Sequence, residues 1–323
     1  MKGFRAVSIV VLLVPAFLVA GWGVSPAWSD EKFPTRQLTY MVCFDPGGQS
    51  DREARRQQPV LEKEFGQNVV IDYKVGGGGA LGWRELVKTK PDGYTFAGFN
   101  IPHVILQPLQ QDVGYKTEQI NPVFIFHSTP LALAVPLNSP YKTAKELIEF
   151  AKKNPGVVTI GGSGSFSGYH MAVLRLEKLT GTKITYVPFT GSAPQMTAFL
   201  GGHLTAIMAA SDDVTRFRDK MKVLGFATEK PFFKFPEDPT LRSQGIDLVE
   251  SVDRGVAVPP GTPPAVIKRI EAAFMANAKS KEFQEEQMKG GFIPLAMGHE
   301  EAKAYLKAKT AVYTELASEI KKK

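Results

Sequence analysis

Short strands alternate with helices along most of this chain, and loops rich in Gly, Ser and Thr follow strand after strand. Residues 38–43 read as a strand and 50–65 as a helix, bent or interrupted at Pro59, where a backbone donor is missing. Residues 69–73 are a second expected strand, followed by a loop at 76–79, a helix over 82–88 and a strand over 94–98. Two strands, 122–126 and 131–136, lie almost in line, as a crossing between domains requires. Further helices are expected at 143–154, 170–179, 264–278 and 300–320, and strands at 157–160, 184–187, 204–208, 223–227 and 254–258. Such alternation gives an α/β architecture, in which ligands gather beyond the carboxyl ends of the strands.

The first of these loops is the most informative. Pro46-Gly47-Gly48-Gln49-Ser50-Asp51 joins a strand to a charged helix, and Ser50 with Glu53 reads as a capping box. A Gly turn at a helix start leaves unpaired N–H groups converging on one point, with the positive end of the helix dipole behind them. The result is a cradle for an anion, or else a plain turn.

The N-terminus sets the compartment. Lys2 and Arg5 precede an apolar run over residues 6–20, and Ala27 and Ser29 suit a cleavage site, so residues 1–29 read as a signal peptide cleaved near Ser29. A periplasmic location follows. The lone cysteine, Cys43, rules out an internal disulfide. The formal charge of +7, two of it from Lys2 and Arg5, is not gathered with aromatic residues into a nucleic-acid patch, and no nucleic-acid partner is expected.

Reactive constellations are absent. Gly77-Gly78-Gly79-Ala80-Leu81-Gly82 fits a dinucleotide pattern, but no acidic residue follows at the ribose-binding distance, and no cofactor is expected. In Gly164-Ser165-Phe166-Ser167-Gly168 the central position of a nucleophile elbow is Phe rather than Ser. An exported hydrolase using Ser165 or Ser167 with His170 is the remaining enzymatic alternative. The five histidines show no metal spacing. What remains is neutral donors in loops: Ser163, Ser165 and Ser167 in one, Thr190, Gly191 and Ser192 in another. Such groups hold a carboxylate without reacting with it.

In sequence order, Phe44 to Asp51, Gln67 to Ile71 with Gly78 and Gly79, Pro91 to Thr95, Gly164 to His170, Val187 to Pro194, Leu200 to Gly202 and Val258 to Pro263 together resemble the periplasmic receptors of tripartite tricarboxylate transporters, the Bug-type proteins. The resemblance implies a two-domain, type-II-like periplasmic binding protein fold with a hinged interdomain cleft. Domain 1 would comprise residues 30–130 and 228–323, and domain 2 residues 131–227. It also implies a monomer that captures a small organic carboxylate, with a di- or tricarboxylate favoured, and delivers it to the membrane permease subunits.

Carried over position by position, the implied ligand residues are Gly47, Gly48, Gln49, Ser50, Asp51, Gly78, Gly79, Ser163, Gly164, Ser165, Phe166, Ser167, His170, Thr190, Gly191 and Ser192; Phe44 and Tyr169 join them as candidates for their aromatic side chains. Departures from the family pattern are Asp45, Tyr169, Ala209-Ala210 and Asp253-Arg254. Arg254 suits a second negative group on the ligand, because Arg pairs carboxylates bidentately; an ordinary pair with Asp253 or Asp212 is the alternative. Phe44, Trp83, Phe166 and Tyr169 also permit a pocket for an aromatic acid, and a receptor feeding a sensor kinase is a further alternative.

Overall fold

The computed structural model describes residues 33–321 together with Gly3; the expected signal peptide lies outside the described residues. The chain begins with β1 (Leu38–Val42), α1 (Gln49–Phe65), β2 (Val69–Tyr73), α2 (Ala80–Leu86), β3 (Thr95–Ile101) and α3 (His103–Gln110). A long strand, β4 (Asn121–Pro136), leads to α4 (Ala144–Lys153), β5 (Thr159–Ser163), α5 (Gly168–Thr180), β6 (Thr185–Phe189), α6 (Ser192–Leu200), β7 (Ala206–Ala210), α7 (Ser211–Arg216) and β8 (Met221–Phe226). The chain returns through β9 (Ser251–Val258), α8 (Pro264–Lys279), α9 (Lys281–Gly290) and β10 (Ile293–Met297) to α10 (His299–Lys321).

The strands form one curled sheet in the order β2-β1-β3-β9-β4-β7-β5-β6, with β8 and β10 also paired to β4. Parallel pairing within β2-β1-β3 and within β7-β5-β6 reflects helical crossovers, whereas β9 is antiparallel to both β3 and β4. The two strands expected at 122–126 and 131–136 are in fact one strand of 16 residues. Pro130 removes a donor without ending it, because β4 changes partners there. Its first part pairs β9 and β10, and its second part pairs β7 and β8. The sheet therefore has two segments joined by a continuous strand. At the join, Leu131 N donates to Glu250 O (3.0 Å), Glu250 N to Ala227 O (3.0 Å) and Ala227 N to Leu131 O (2.7 Å).

Each segment is covered on both faces. Trp83, Phe99 and Ile105 pack with Leu306 on one side of the first segment, and Leu61, Phe96, Phe124 and Phe274 on the other. Leu147, Ile160 and Leu176 cover one face of the second segment, and Phe199, Ile207 and Phe226 the opposite one. Burying both faces explains the nearly continuous apolar runs of the central strands. It also assigns Trp83 to the core, fully buried, with Nε1 donating to Gly98 O at 2.9 Å.

Local rules explain several helix ends. Thr143 caps α4 by accepting from Glu146 N (3.2 Å), and Ser167 caps α5 by accepting from His170 N (3.2 Å). The expected capping box of Ser50 and Glu53 does not form. Helix α1 starts a residue earlier, behind Gly48, and Glu53 is buried, accepting from Gln57 Nε2 (2.7 Å) and Gln287 Nε2 (3.0 Å). Helix α1 also continues through Pro59. Among the described residues no helix is long and apolar enough to cross a membrane.

Candidate functional site

The loops after β1, β2, β5 and β6 meet where the two segments face each other. Asp51 organises the first loop: its carboxylate accepts from Gly47 N (2.7 Å), Tyr73 OH (2.6 Å) and Arg55 Nε (2.9 Å). It is therefore occupied by its own turn. Gly47, at φ 74°, supplies the left-handed residue of that turn. Gly48 is the residue before the helix, and the next amide, Gln49 N, donates to Ser192 Oγ across the gap at 3.0 Å. Asp45 stands against Gly191, with its Oδ2 buried and without a hydrogen-bond partner.

The second and third loops touch backbone to backbone. Gly78 lies at φ 63°, and a Cβ built there would sit 3.1 Å from the Gly164 Cα. Gly79 is packed against Trp83 and Phe44. Gly164 O accepts from Ser167 Oγ (2.9 Å) and Tyr186 OH (2.7 Å). Phe166 holds φ 48°, an unusual angle for a bulky residue, and its N–H donates to His170 Nδ1 at 3.2 Å. His170 also stacks on Tyr186 at 4.3 Å, and burial lowers its pKa to about 4. A neutral imidazole held in this way makes no side-chain pair with Ser165 or Ser167, so the hydrolase arrangement is not assembled.

Arg254 is the central charge. It lies on β9 opposite Asn100 of β3 and His127 of β4, and it is only 4% exposed. Nη1 donates to Thr129 Oγ1 and to Val252 O (3.4 Å), Nη2 donates to Gln49 Oε1, and Nε has no partner. Neither expected ion pair forms. Asp253 points to the other side of the strand, toward Ser128, Ser251 and Tyr305, while Asp212 takes Gln49 Nε2 and Arg52. All of Arg254's hydrogen bonds thus go to neutral groups. Burying a cation so costs several kcal/mol unless an anion arrives.

A small cavity of about 10 Å³ adjoins this guanidinium, lined by Phe44, Gln49, Ser50, Asn100, Ser163, Tyr169 and Ser192 as well as Arg254. Burial raises the Tyr169 hydroxyl to about 12, with the nearby Arg254 charge opposing the rise. Although that charge lies close enough to act, the hydroxyl makes no hydrogen bond of regular geometry. Behind Arg254 a second cavity of about 10 Å³ is bounded by Tyr40, Ser50, Asn100 and Glu53. Burial pushes the Glu53 carboxyl up, against Arg56, its amide partners and Arg254.

Of the residues expected from sequence, Phe44, Gln49, Ser50, Ser163, Tyr169, Ser192 and Arg254 come together around the cavity. Gly48, Gly78, Gly79, Gly164 and Gly191 form the backbone of the meeting loops. Ser165 and Thr190 are exposed, and Ser167 serves as a helix cap. Three residues escaped the sequence reading: Asn100, brought in by strand register, and the pair Arg52 and Asp213, which meet at 3.3 Å across the gap. An Arg at a helix start and two adjacent acids were the only available signals. Among the described residues no group of His, Cys, Asp or Glu could hold a metal ion.

Paired sheet segments with Gly-rich loops between them define a periplasmic binding protein fold. An R. palustris protein with adipate superimposes at a TM-score of 0.85, with 24% identity over 90% of this chain and 98% of that one. MatC from Rhodopseudomonas palustris, with bound malate, gives 0.82 and 21% over 88% and 99%. The curated UPF0065 protein in the gbd 5' region of Cupriavidus necator is 29% identical over 90% of this chain and 89% of its own length. The model of the family described as "Tripartite tricarboxylate transporter family receptor" matches residues 53–321, and the chain belongs to that family. It is a solute-binding receptor, not an enzyme.

Proposed function

We propose that the receptor captures a small organic dicarboxylate between the two sheet segments and passes it to the permease of a tripartite tricarboxylate-type transporter. The observation that carries this reading is Arg254, a buried guanidinium that lacks a paired carboxylate and borders a cavity lined by Ser, Asn and Tyr. One carboxylate meets the first loop and α1; the other meets Arg254 with Tyr169 and Ser192. Neighbours of the same fold with adipate and with malate support a diacid.

The segments act as two domains, 30–130 with 228–323 and 131–227, which part and close about the partner change in β4. A cavity near the volume of one water does not admit a diacid, so capture requires that parting. The receptor works in the periplasm as a monomer after loss of residues 1–29. Phe44 and Tyr169 at the cavity favour a second reading, an aromatic acid.

Calorimetry with adipate, malate, citrate, benzoate and acetate separates the two. A chain-like diacid is expected to bind most tightly. Arg254→Ala is expected to weaken it about 10- to 100-fold, the worth of a charged hydrogen bond, while acetate loses little. Equal losses for mono- and diacids remove Arg254 from the ligand, and benzoate as the tightest binder selects the aromatic reading.

A further inference from the structure

Arg52 and the Asp212–Asp213 pair lie outside the cavity, yet they form an ion-pair contact between the segments beside it. Arg52 projects from the first turn of α1, while the two acids open α7 immediately after β7. Arg52 Nη2 stands 2.7 Å from Asp212 Oδ2 and 3.3 Å from Asp213 Oδ1, and Nη1 donates to Gly47 O at 2.9 Å. Both acids are nearly buried, at 2% and 3% exposure, although acidic residues ordinarily face water. Arg216, one turn on, reaches Asp213 only at 3.7 Å, so α7 does not satisfy its own charges. Burial and the neighbouring Asp212 push the Asp213 carboxyl up, and Arg52 is the largest opposing influence.

We propose that Arg52 and Asp212–Asp213 are a latch that holds the receptor closed, positioning the ligand loops without touching the ligand. The reasoning is geometric. The same two elements supply Gln49, whose N–H reaches Ser192 and whose carboxamide spans Asp212 and Arg254. When Arg52 releases the acids, nothing else of opposite charge links α1 to α7 among the described residues. Asp212 is then left without a paired cation and Asp213 with only the more distant Arg216, a costly state that water relieves only if the segments part. The latch thus ties closure to the loop that receives the ligand, because Arg52 also fixes the Gly47 carbonyl of that loop.

The inference rests on the closure reading above, and its test needs no ligand. Amide hydrogen exchange and small-angle X-ray scattering are measured on the ligand-free receptor, with circular dichroism confirming that each variant is folded. Arg52→Gln and Asp212→Asn are each expected to enlarge the radius of gyration. Both are expected to speed exchange of the Gln49 amide about 10- to 100-fold. Arg52→Lys is expected to recover most of the protection, since it keeps the charge. Should Arg52→Gln fail to fold, the reversed pair Arg52→Asp with Asp212→Arg carries the test: scattering like the parent supports the latch, and an expanded particle overturns it. Scattering and Gln49 exchange unchanged in the folded Arg52→Gln variant also overturn it. A carboxylate panel that fails to bind, with the latch variants expanded as expected, removes the ligand assignment and leaves the latch standing.

Discussion

Gly78 and Gly164 show how little room single residues leave at the meeting of the loops. Gly78 holds a left-handed φ, and a methyl group there would press on the Gly164 backbone. Gly78→Ala is therefore expected to keep the fold and to hold the segments apart, weakening ligand capture, with the Gln107 carboxamide, 3.0 Å from the added methyl, also giving way; calorimetry with the tightest-binding carboxylate checks it. Unchanged affinity would mean that these loops do not need to touch. The Gly turns were legible from sequence because left-handed angles favour Gly and little else. Arg254 was legible as a charge in a strand, but its lack of a paired acid was not. That property depends on Asp253 facing away and on Asp212 being taken by Arg52, both facts of tertiary placement.

At the scale of elements, the helix expected at 143–154 is α4, and Thr143 caps it by accepting from Glu146 N, whereas the capping box expected of Ser50 and Glu53 does not form. Thr143→Ala is expected to cost about 1 kcal/mol in urea unfolding and to leave ligand affinity unchanged. Helix α1 was read correctly in extent but not in start, because its buried face is polar. Glu53 and Gln57 turn inward to meet Gln287 of α9, which a hydrophobic period cannot reveal. Elements α3, α7, α9 and β10 were missed. Strand β10 is short and half exposed, and its only partner is β4, far away in the sequence. The gap read between residues 126 and 131 misled in the opposite direction, suggesting a break where β4 merely exchanges neighbours.

For the whole molecule, the join between the segments carries a titratable group. Glu250 lies where β4, the end of β8 and the approach to β9 run side by side. Its carboxylate accepts from Tyr313 OH of α10 and from Arg175 Nη1 of α5 at 3.1 Å, and Lys309 of α10 acts on it from further off. Burial outweighs these partners and raises its pKa from 4.5 to about 7. Because the folded value lies above the unfolded one, its contribution is complete below pH 4.5 and is lost as pH rises through about 7. Urea unfolding is expected to show a stability loss of roughly 3 kcal/mol across that window. Glu250→Gln is expected to remove that share of the loss and to leave the share of Asp213, which burial also raises to about 7, and an unaltered pH profile in that variant would place the titration elsewhere.

Strand β9 has a consequence for how the chain is made. It lies between β3 and β4, in the middle of the first segment, yet it is synthesised only after the whole of the second segment has emerged. Everything up to residue 250 can exist while the facing edges of β3 and β4 are still unpaired. The segment that starts first must finish last, with β9, which brings Arg254, and then with β10 on β4. A nascent chain thus acquires its buried guanidinium in the same step that joins β3 to β4.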